Sequence, residues 1–592
     1  MGVAMRCGSV LLAAALVVGA CGRASSERAA TEGAASLRST EAPSGDWFVD
    51  RAKETALDFV HFNGMSGGLY YPEIMAPGVG LIDYDNDGDL DVYVVQGQML
   101  GKGKTLKDAI YQPVSPLSDR LFRNDLEVAA DGTRRLHFTD VTDAAGIDVH
   151  SYGMGVAVGD YDNDGWLDIY RTGLDGSVLL HNNGNGTFSD VTARAGVANR
   201  GAWSVPAAFV DIDRDGWLDL FVGNYLIYRV DADIDCQDLT GQGDYCPPNS
   251  YRAQHDRLYR NRGNGTFEDV TSRVPVGGAD GPALGVSTAD FNGDGWIDIY
   301  VGNDGEANQL WINQKNGTFR DTAFLAGAAV SGAGNAEASM GIDAGDFDND
   351  GDEDIFITNW LSQMNVLYVN DGTGLFEDRR AASGLGSPSL AKTGFGTAWF
   401  DYDNDGWLDL LTVNGGVARI EAQARQKDPF PLRMSNQLYH NLANGRFEDV
   451  SGRVGAVFTS LHVGRGAAFG DIDNDGDDDV VIGNAAGPLQ LLINTSGNRS
   501  HWLGLRLTGA DGRRDMLGAR IAVMRRSGPA LWRRARADGS YASANDPRVL
   551  VGLGSSPPDV TGVRVQWPDG RSEEFMLPPL DRWSTLKQGM GK

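Results

Sequence analysis

Seven copies of one acidic nonapeptide hold the residues of this 592-residue chain best suited to chemistry. They begin at Asp83 (DYDNDGDLD), Asp160 (DYDNDGWLD), Asp211 (DIDRDGWLD), Asp290 (DFNGDGWID), Asp346 (DFDNDGDED), Asp401 (DYDNDGWLD) and Asp471 (DIDNDGDDD). The first, third, fifth and ninth positions are Asp83, Asp85, Asp87 and Asp91; Asp160, Asp162, Asp164 and Asp168; Asp211, Asp213, Asp215 and Asp219; Asp290, Asn292, Asp294 and Asp298; Asp346, Asp348, Asp350 and Asp354; Asp401, Asp403, Asp405 and Asp409; and Asp471, Asp473, Asp475 and Asp479. Alternate carboxylates around a tight turn, with Gly in sixth place where the backbone bends, make an oxygen-only donor set for a hard cation. Without one, the carboxylates of a single turn repel each other. An EF-hand closes with Glu at position twelve, but here that position is Val94, Arg171, Val222, Val301, Ile357, Thr412 or Ile482. The ninth-position aspartate therefore takes the closing role. A flexible all-protein cage favours Ca2+ over Mg2+, which keeps several waters. Up to seven structural Ca2+ ions are expected, with the Asn292 loop the weakest site.

The segments around each loop show what positions it. A Gly-rich alternating run such as 155–159 precedes it, a short apolar strand such as 220–222 follows, and a third strand leads through an Asn-Gly hairpin to a fourth marked Phe-x-Asp. Those markers stand at Phe138, Phe188, Phe267, Phe319, Phe376 and Phe447. Repeats starting 51 to 79 residues apart, each of four strands, read as an all-β fold of seven β-propeller blades. The seventh copy lacks its own Phe-x-Asp strand, which Phe48-Val49-Asp50 supplies from the other end of the chain. Closure by shared termini leaves no open sheet edge.

The net charge of −29 argues against a general nucleic-acid binder. With 42% apolar residues, global disorder is excluded too. Residues 1–21 read as an export signal, and Val18-Gly19-Ala20-Cys21 resembles a bacterial lipobox, implying lipid attachment at Cys21 and an outer-membrane or cell-surface lipoprotein. Residues 22–46 read as a flexible tether, and no other stretch is long and apolar enough to be a transmembrane helix. Cys236 and Cys246, with nine residues between them in a polar loop, are expected to form a disulfide. A metal pair is disfavoured because no His or further Cys lies at ligand spacing.

From about Trp47 onward these features resemble a known family. The loops look like the FG-GAP and VCBS repeats of integrin α-chain propellers, and the whole chain resembles the cartilage acidic protein family. Gly518-Ala519-Arg520, Gly539-Ser540-Tyr541, Gly552-Leu553-Gly554 and Trp567-Pro568-Asp569-Gly570 resemble its ASPIC/UnbV tail. The resemblance implies a calcium-stabilised propeller over 47–494 and a small β-domain over 495–592. Gly416 stands where relatives often carry His.

The tail from residue 498 holds 16 basic and 9 acidic residues, a net +7, leaving −36 for the rest. Docking of the tail onto the acidic propeller is the reading favoured by that asymmetry, ahead of recognition of an anionic surface or glycan by Arg533, Arg534 and Arg536. No phosphate loop, zinc signature or Rossmann fingerprint is present, and Gly64-Met65-Ser66-Gly67-Gly68 lacks the helix a nucleophile elbow needs. Loops entering the first strands offer His150, Trp203, Glu337, Lys392, His462 and Arg465 as a candidate ligand-binding funnel. The expected function is a cell-surface binding or adhesion propeller for an extracellular protein or glycan, membrane-attached only through its lipid. The alternative is an enzyme acting on a glycan or other substrate in the central funnel.

Overall fold

The computed structural model describes residues 46–238, 240–273, 281–556 and 559–592; the export signal, Cys21 and the tether up to residue 45 lie outside the described residues. The described chain is all-β, with no α-helix longer than the five residues Glu421–Arg425. Among the described residues there are seven four-stranded antiparallel sheets with one topology, in which consecutive strands are neighbours. Each aspartate loop joins the first strand of a sheet to the second, as between Gly153–Gly159 and Asp168–Gly173. The last sheet holds Gly464–Gly470, Asp479–Asn484, Gln490–Asn494 and, as its outer strand, Phe48–Asp50 from the other end of the chain. All the outer strands end in the aspartate of Phe-x-Asp. Each aspartate then accepts the N–H two residues on, from Asp50 and Ala52 to Asp449 and Ser451.

The first strands are short and almost wholly buried, six of the seven contain Gly, and each lies against the first strand of the next sheet. The seventh, Gly464–Gly470, lies against the first, Val79–Ile82, so the neighbour relation returns to its start. Glycine is needed where these strands meet: a Cβ on Gly466 would stand 2.8 Å from the Cα of Gly78. Apolar clusters fill the spaces between adjacent sheets, for example Ala398, Phe400, Leu411 and Val413 of one sheet with Phe469 and Ile482 of the next.

An Asn ending each third strand ties the sheets together. Its side-chain amide donates to the second-residue carbonyl of the preceding sheet's aspartate loop: Asn124 to Ile472, Asn182 to Tyr84, Asn261 to Tyr161, Asn313 to Ile212, Asn370 to Phe291, Asn441 to Phe347 and Asn494 to Tyr402. All seven bonds are 2.8–2.9 Å long, and together they close a circle.

After the seventh sheet the chain forms two further sheets around a separate core of Leu503, Leu505, Ile521, Val563 and Trp567. This domain lies against the aspartate loops. Its Arg514, Arg520, Arg533 and Arg548 donate to the sixth-position carbonyls of Gly216, Gly351, Gly406 and Gly88. Arg534 donates to the carbonyl of Thr288, and Arg536 pairs with buried Asp343 at 2.5 Å. The three arginines considered as an anionic-surface reader are thus engaged within the molecule. Residues 538–546 run along the axis, bonding to the first strands of six of the seven sheets. At its tip the buried Tyr541 donates to the carbonyl of Met75 and meets the ring of Phe395 edge-on at 4.8 Å. The axis of the molecule is therefore filled by its own chain.

Replacing Asn441 with Ala removes its amide bonds to Phe347 and Leu408 and leaves buried carbonyls unpaired. Equilibrium urea unfolding is expected to show a loss of about 1–3 kcal/mol; an unchanged midpoint would contradict the tie between sheets.

Candidate functional site

The aspartate loops share one internal frame. The first aspartate accepts the N–H of the sixth-position Gly in all seven loops, at 2.8–3.2 Å. That Gly has φ between 87° and 103°, and the fourth residue is also left-handed, which explains Asn or Gly in six of the seven loops. The ninth aspartate accepts the backbone N–H of the same Asn that ties the sheets, at 2.7–2.9 Å. The fourth-position Asn donates across to the Gly carbonyl of the next loop, as from Asn86 to Gly165 and from Asn163 to Gly216. Gly293 cannot do this, and Arg520 of the C-terminal domain meets the Gly351 carbonyl instead.

These bonds leave a specific set of oxygens without partners. Buried Oδ1 atoms of Asp85, Asp162, Asp348, Asp403 and Asp473, all third-position residues, have no hydrogen-bond donor. Carboxylate oxygens of Asp83, Asp85 and Asp91 lie within 4.8 Å of one another, as do those of Asp160, Asp162 and Asp164. An all-oxygen set with orphaned acceptors fits a hard divalent cation. Asp211, Asp213 and Asp219 form such a group too, and Asp211 Oδ1 is also without a partner, but the loops beginning at Asp211 and Asp290 each hold a basic side chain as well. Arg260 reaches Asp213 at 2.6 Å, and Lys315 reaches Asp294 at 3.3 Å. In the second and sixth loops His181 and His440 stand 3.2–3.4 Å and 3.3–3.7 Å from the loop carboxylates. Burial, reinforced by Asp168, Asp403 and Asp475, pushes the carboxyls of Asp160, Asp405 and Asp473 up to about 7.

The six funnel candidates do not converge. His150 is exposed and bonded to Asp148 and the carbonyl of Leu117. Glu337 pairs with Arg380 at 2.8 Å, Lys392 donates to Ser435, and His462 exchanges backbone bonds with Met434. Trp203 is packed among Tyr71, Tyr225 and Tyr228. Arg465 is fully buried over the ring of Phe395, donating to the carbonyls of Ile74, Gly415, Gly416 and Gly464. The last two support the wall of a cavity that sequence reasoning missed.

That cavity, about 300 Å³, opens among the loops at the strand ends opposite the aspartates. Tyr71, Tyr251, Phe395 and Trp360 supply aromatic walls, and Asp304 is its half-buried acid. The Tyr225 hydroxyl donates to Asp304 at 2.5 Å and stands 2.6 Å from that of Tyr71. Beside it, Tyr245 donates to Glu73, a fully buried carboxyl that burial pushes up to about 8. The disulfide Cys236–Cys246 is present and fastens the insertion that carries Tyr245, Pro247, Pro248 and Tyr251 over this cavity. Its residues come from seven separate loops and one strand, and no spacing in the sequence announces their meeting.

The FG-GAP-like repeat family matches residues 160–222, 249–301, 290–357, 346–412 and 431–482, and the ASPIC and UnbV family matches 509–592. The chain is an FG-GAP-repeat protein with a C-terminal ASPIC and UnbV domain. It is homologous to cartilage acidic protein 1: the mouse protein is 25% identical over 514 residues, covering 83% of this chain and 70% of the relative. The human protein is 26% identical over 519 residues, 83% and 69% of the two chains, and that of Xenopus tropicalis 27% over 387 residues, 57% of each. A solved lectin of Agrocybe aegerita aligns with a TM-score of 0.35 at 16% identity, over 62% of this chain and 77% of that one, too low a score for a shared fold to follow. The FG-GAP matches take in six of the seven aspartate loops, and the ASPIC and UnbV match takes in the axial segment 538–546.

Carboxyls raised by burial bind more protons in the folded chain than in the unfolded one, so without a cation stability falls as pH rises from about 4 through about 7. In chelating buffer the melting temperature at pH 6 is expected to exceed that at pH 8. A cation-free melting temperature that rises over this interval would contradict the account of the loops.

Proposed function

We propose that this chain is an exported, Ca2+-stabilised, seven-bladed propeller that binds an extracellular ligand on the loop face opposite its aspartates. The observation that carries the reading is the set of five orphaned third-position carboxylate oxygens, joined in two loops by an orphaned oxygen of the ninth aspartate, Asp354 or Asp409. The cation supplies charge neutralisation there and fixes each turn. Asp83, Asp85, Asp87 and Asp91, with their counterparts in the loops from Asp160, Asp346, Asp401 and Asp471, are its proposed holders. Extracellular Ca2+ sites of on the order of 10⁻⁴–10⁻³ M suffice for this role. The aspartate loops face the C-terminal domain, so the opposite loops are the free ones and carry the cavity.

Residues 47–494 form the propeller in this reading, and 495–592 form a domain that plugs it from the aspartate side. Export agrees with the disulfide. Among the described residues no helix is long and apolar enough to cross a membrane; attachment through Cys21, at the outer membrane or cell surface, rests on the sequence motif alone. Catalysis in a central funnel is the weaker alternative, because residues 538–546 occupy the axis.

The reading separates the seven loops. Equilibrium dialysis against millimolar Ca2+ is expected to find five ions per chain, the loops beginning at Asp211 and Asp290 carrying the Arg260 and Lys315 ion pairs instead. Arg260→Gln is expected to add a site, and chelation to lower the melting temperature by several degrees. Seven equivalent sites, or melting unaffected by complete metal removal, would overturn it.

A further inference from the structure

The cavity opposite the aspartate loops has one-sided chemistry. Among the described residues its lining contains two acidic side chains, Asp304 and Glu306, and no lysine, arginine or histidine. Asp304 receives one hydroxyl, from Tyr225, and no ion-pair partner is found for it among the described residues. Desolvation pushes the carboxyl of this half-buried residue up to about 7. Arg465 stands over Phe395 with its guanidinium donors spent on four carbonyls, and Arg419, next to the lining residue Ala418, pairs with Glu421. Tyr71 and Tyr251 stack at 5.9 Å with 14° between their planes, and Trp360 is 41% exposed at the opening.

We infer that this cavity binds an organic ammonium ion, with the onium group against the aromatic faces and Asp304 as its counter-charge. Aromatic faces carry negative potential and attract cations, most strongly where water is excluded. An anionic ligand would face two carboxylates, and a neutral sugar would leave Asp304 uncompensated. The volume of about 300 Å³ suits a small amine with an apolar body. The rigid walls follow from the fold: Tyr71 is held through Tyr225, and Tyr251 follows the Cys236–Cys246 loop. The inference rests on the loop face being the ligand-bearing face, and it names the ligand class for that face.

The test is calorimetric titration of the full mature chain, in saturating Ca2+, with choline and with its neutral isostere 3,3-dimethylbutan-1-ol. Choline is expected to bind at least 10-fold more tightly than the isostere and to change Trp fluorescence. Asp304→Asn should abolish most of that preference. Trp360→Ala, at a half-exposed position, should weaken choline binding 3- to 10-fold. Phosphatidylcholine vesicles run in parallel distinguish a lipid headgroup, which would pull the protein down with the vesicles, from a free amine, which would not. Equal binding of choline and the isostere, choline binding unaffected by both variants, or response to neutral sugars with none to choline would each overturn the assignment. Ca2+-dependent melting measured on the same samples separates failure of the cavity from failure of the propeller reading.

Discussion

One asparagine per sheet holds the circle. Its backbone N–H is fixed by the ninth aspartate of its own loop, and its side-chain amide reaches the neighbouring loop's carbonyl. This arrangement links strand pairing within a sheet to spacing between sheets through a single side chain. A buried amide of this kind adds modestly to stability when paired and costs about 1–3 kcal/mol when its partner is lost. Seven in a closed circle constrain one another, because no sheet can tilt without stretching two such bonds. The aspartate loops are thus joints of the whole fold as well as turns within sheets.

The price of these joints is concentrated negative charge, and the molecule compensates it in several ways. The seven nonapeptides contain 32 of the 80 acidic residues. Arg260 and Lys315 each offset part of the charge of one loop from within the seven sheets. Arg514, Arg520, Arg533 and Arg548 approach from the C-terminal domain, but they bond to glycine carbonyls and leave the third-position oxygens orphaned. The basic tail and the proposed cations therefore have different tasks. The tail covers the face and fills the axis, and answering the carboxylates is left to the proposed cations. With that face covered, variable chemistry is left to the opposite loops, where long insertions are free to differ.

Much of this was legible in the sequence because it repeats. The loops, the four-strand units, the Phe48 strand completing the last sheet and the disulfide all announce themselves through period and spacing. Docking of the basic tail was legible in net charge, though the axial course of 538–546 was not, since nothing in Asp538-Gly539-Ser540-Tyr541 shows periodicity. The tying asparagines were available as a recurring Leu-x-x-Asn at the end of each third strand, a signal overshadowed by the aspartates. The funnel residues misled for a physical reason. Loop position gives the face of a residue, whereas burial and partners, as for Arg465 and Glu337, decide whether it is free to act. The cavity around Asp304 joins residues more than 300 positions apart, and only the assembled circle brings them together.

The central claim is that the aspartate loops and the asparagine ties form one cooperative device. Amide hydrogen exchange followed by mass spectrometry, with and without Ca2+, tests it directly. If the account holds, cation removal raises exchange at the Gly165 and Gly406 amides and, to a similar extent, at the Asn182 and Asn441 amides and in the strands they end. Exchange that rises only within the nonapeptides, leaving the third strands protected, would show that the loops are local turns and contradict it.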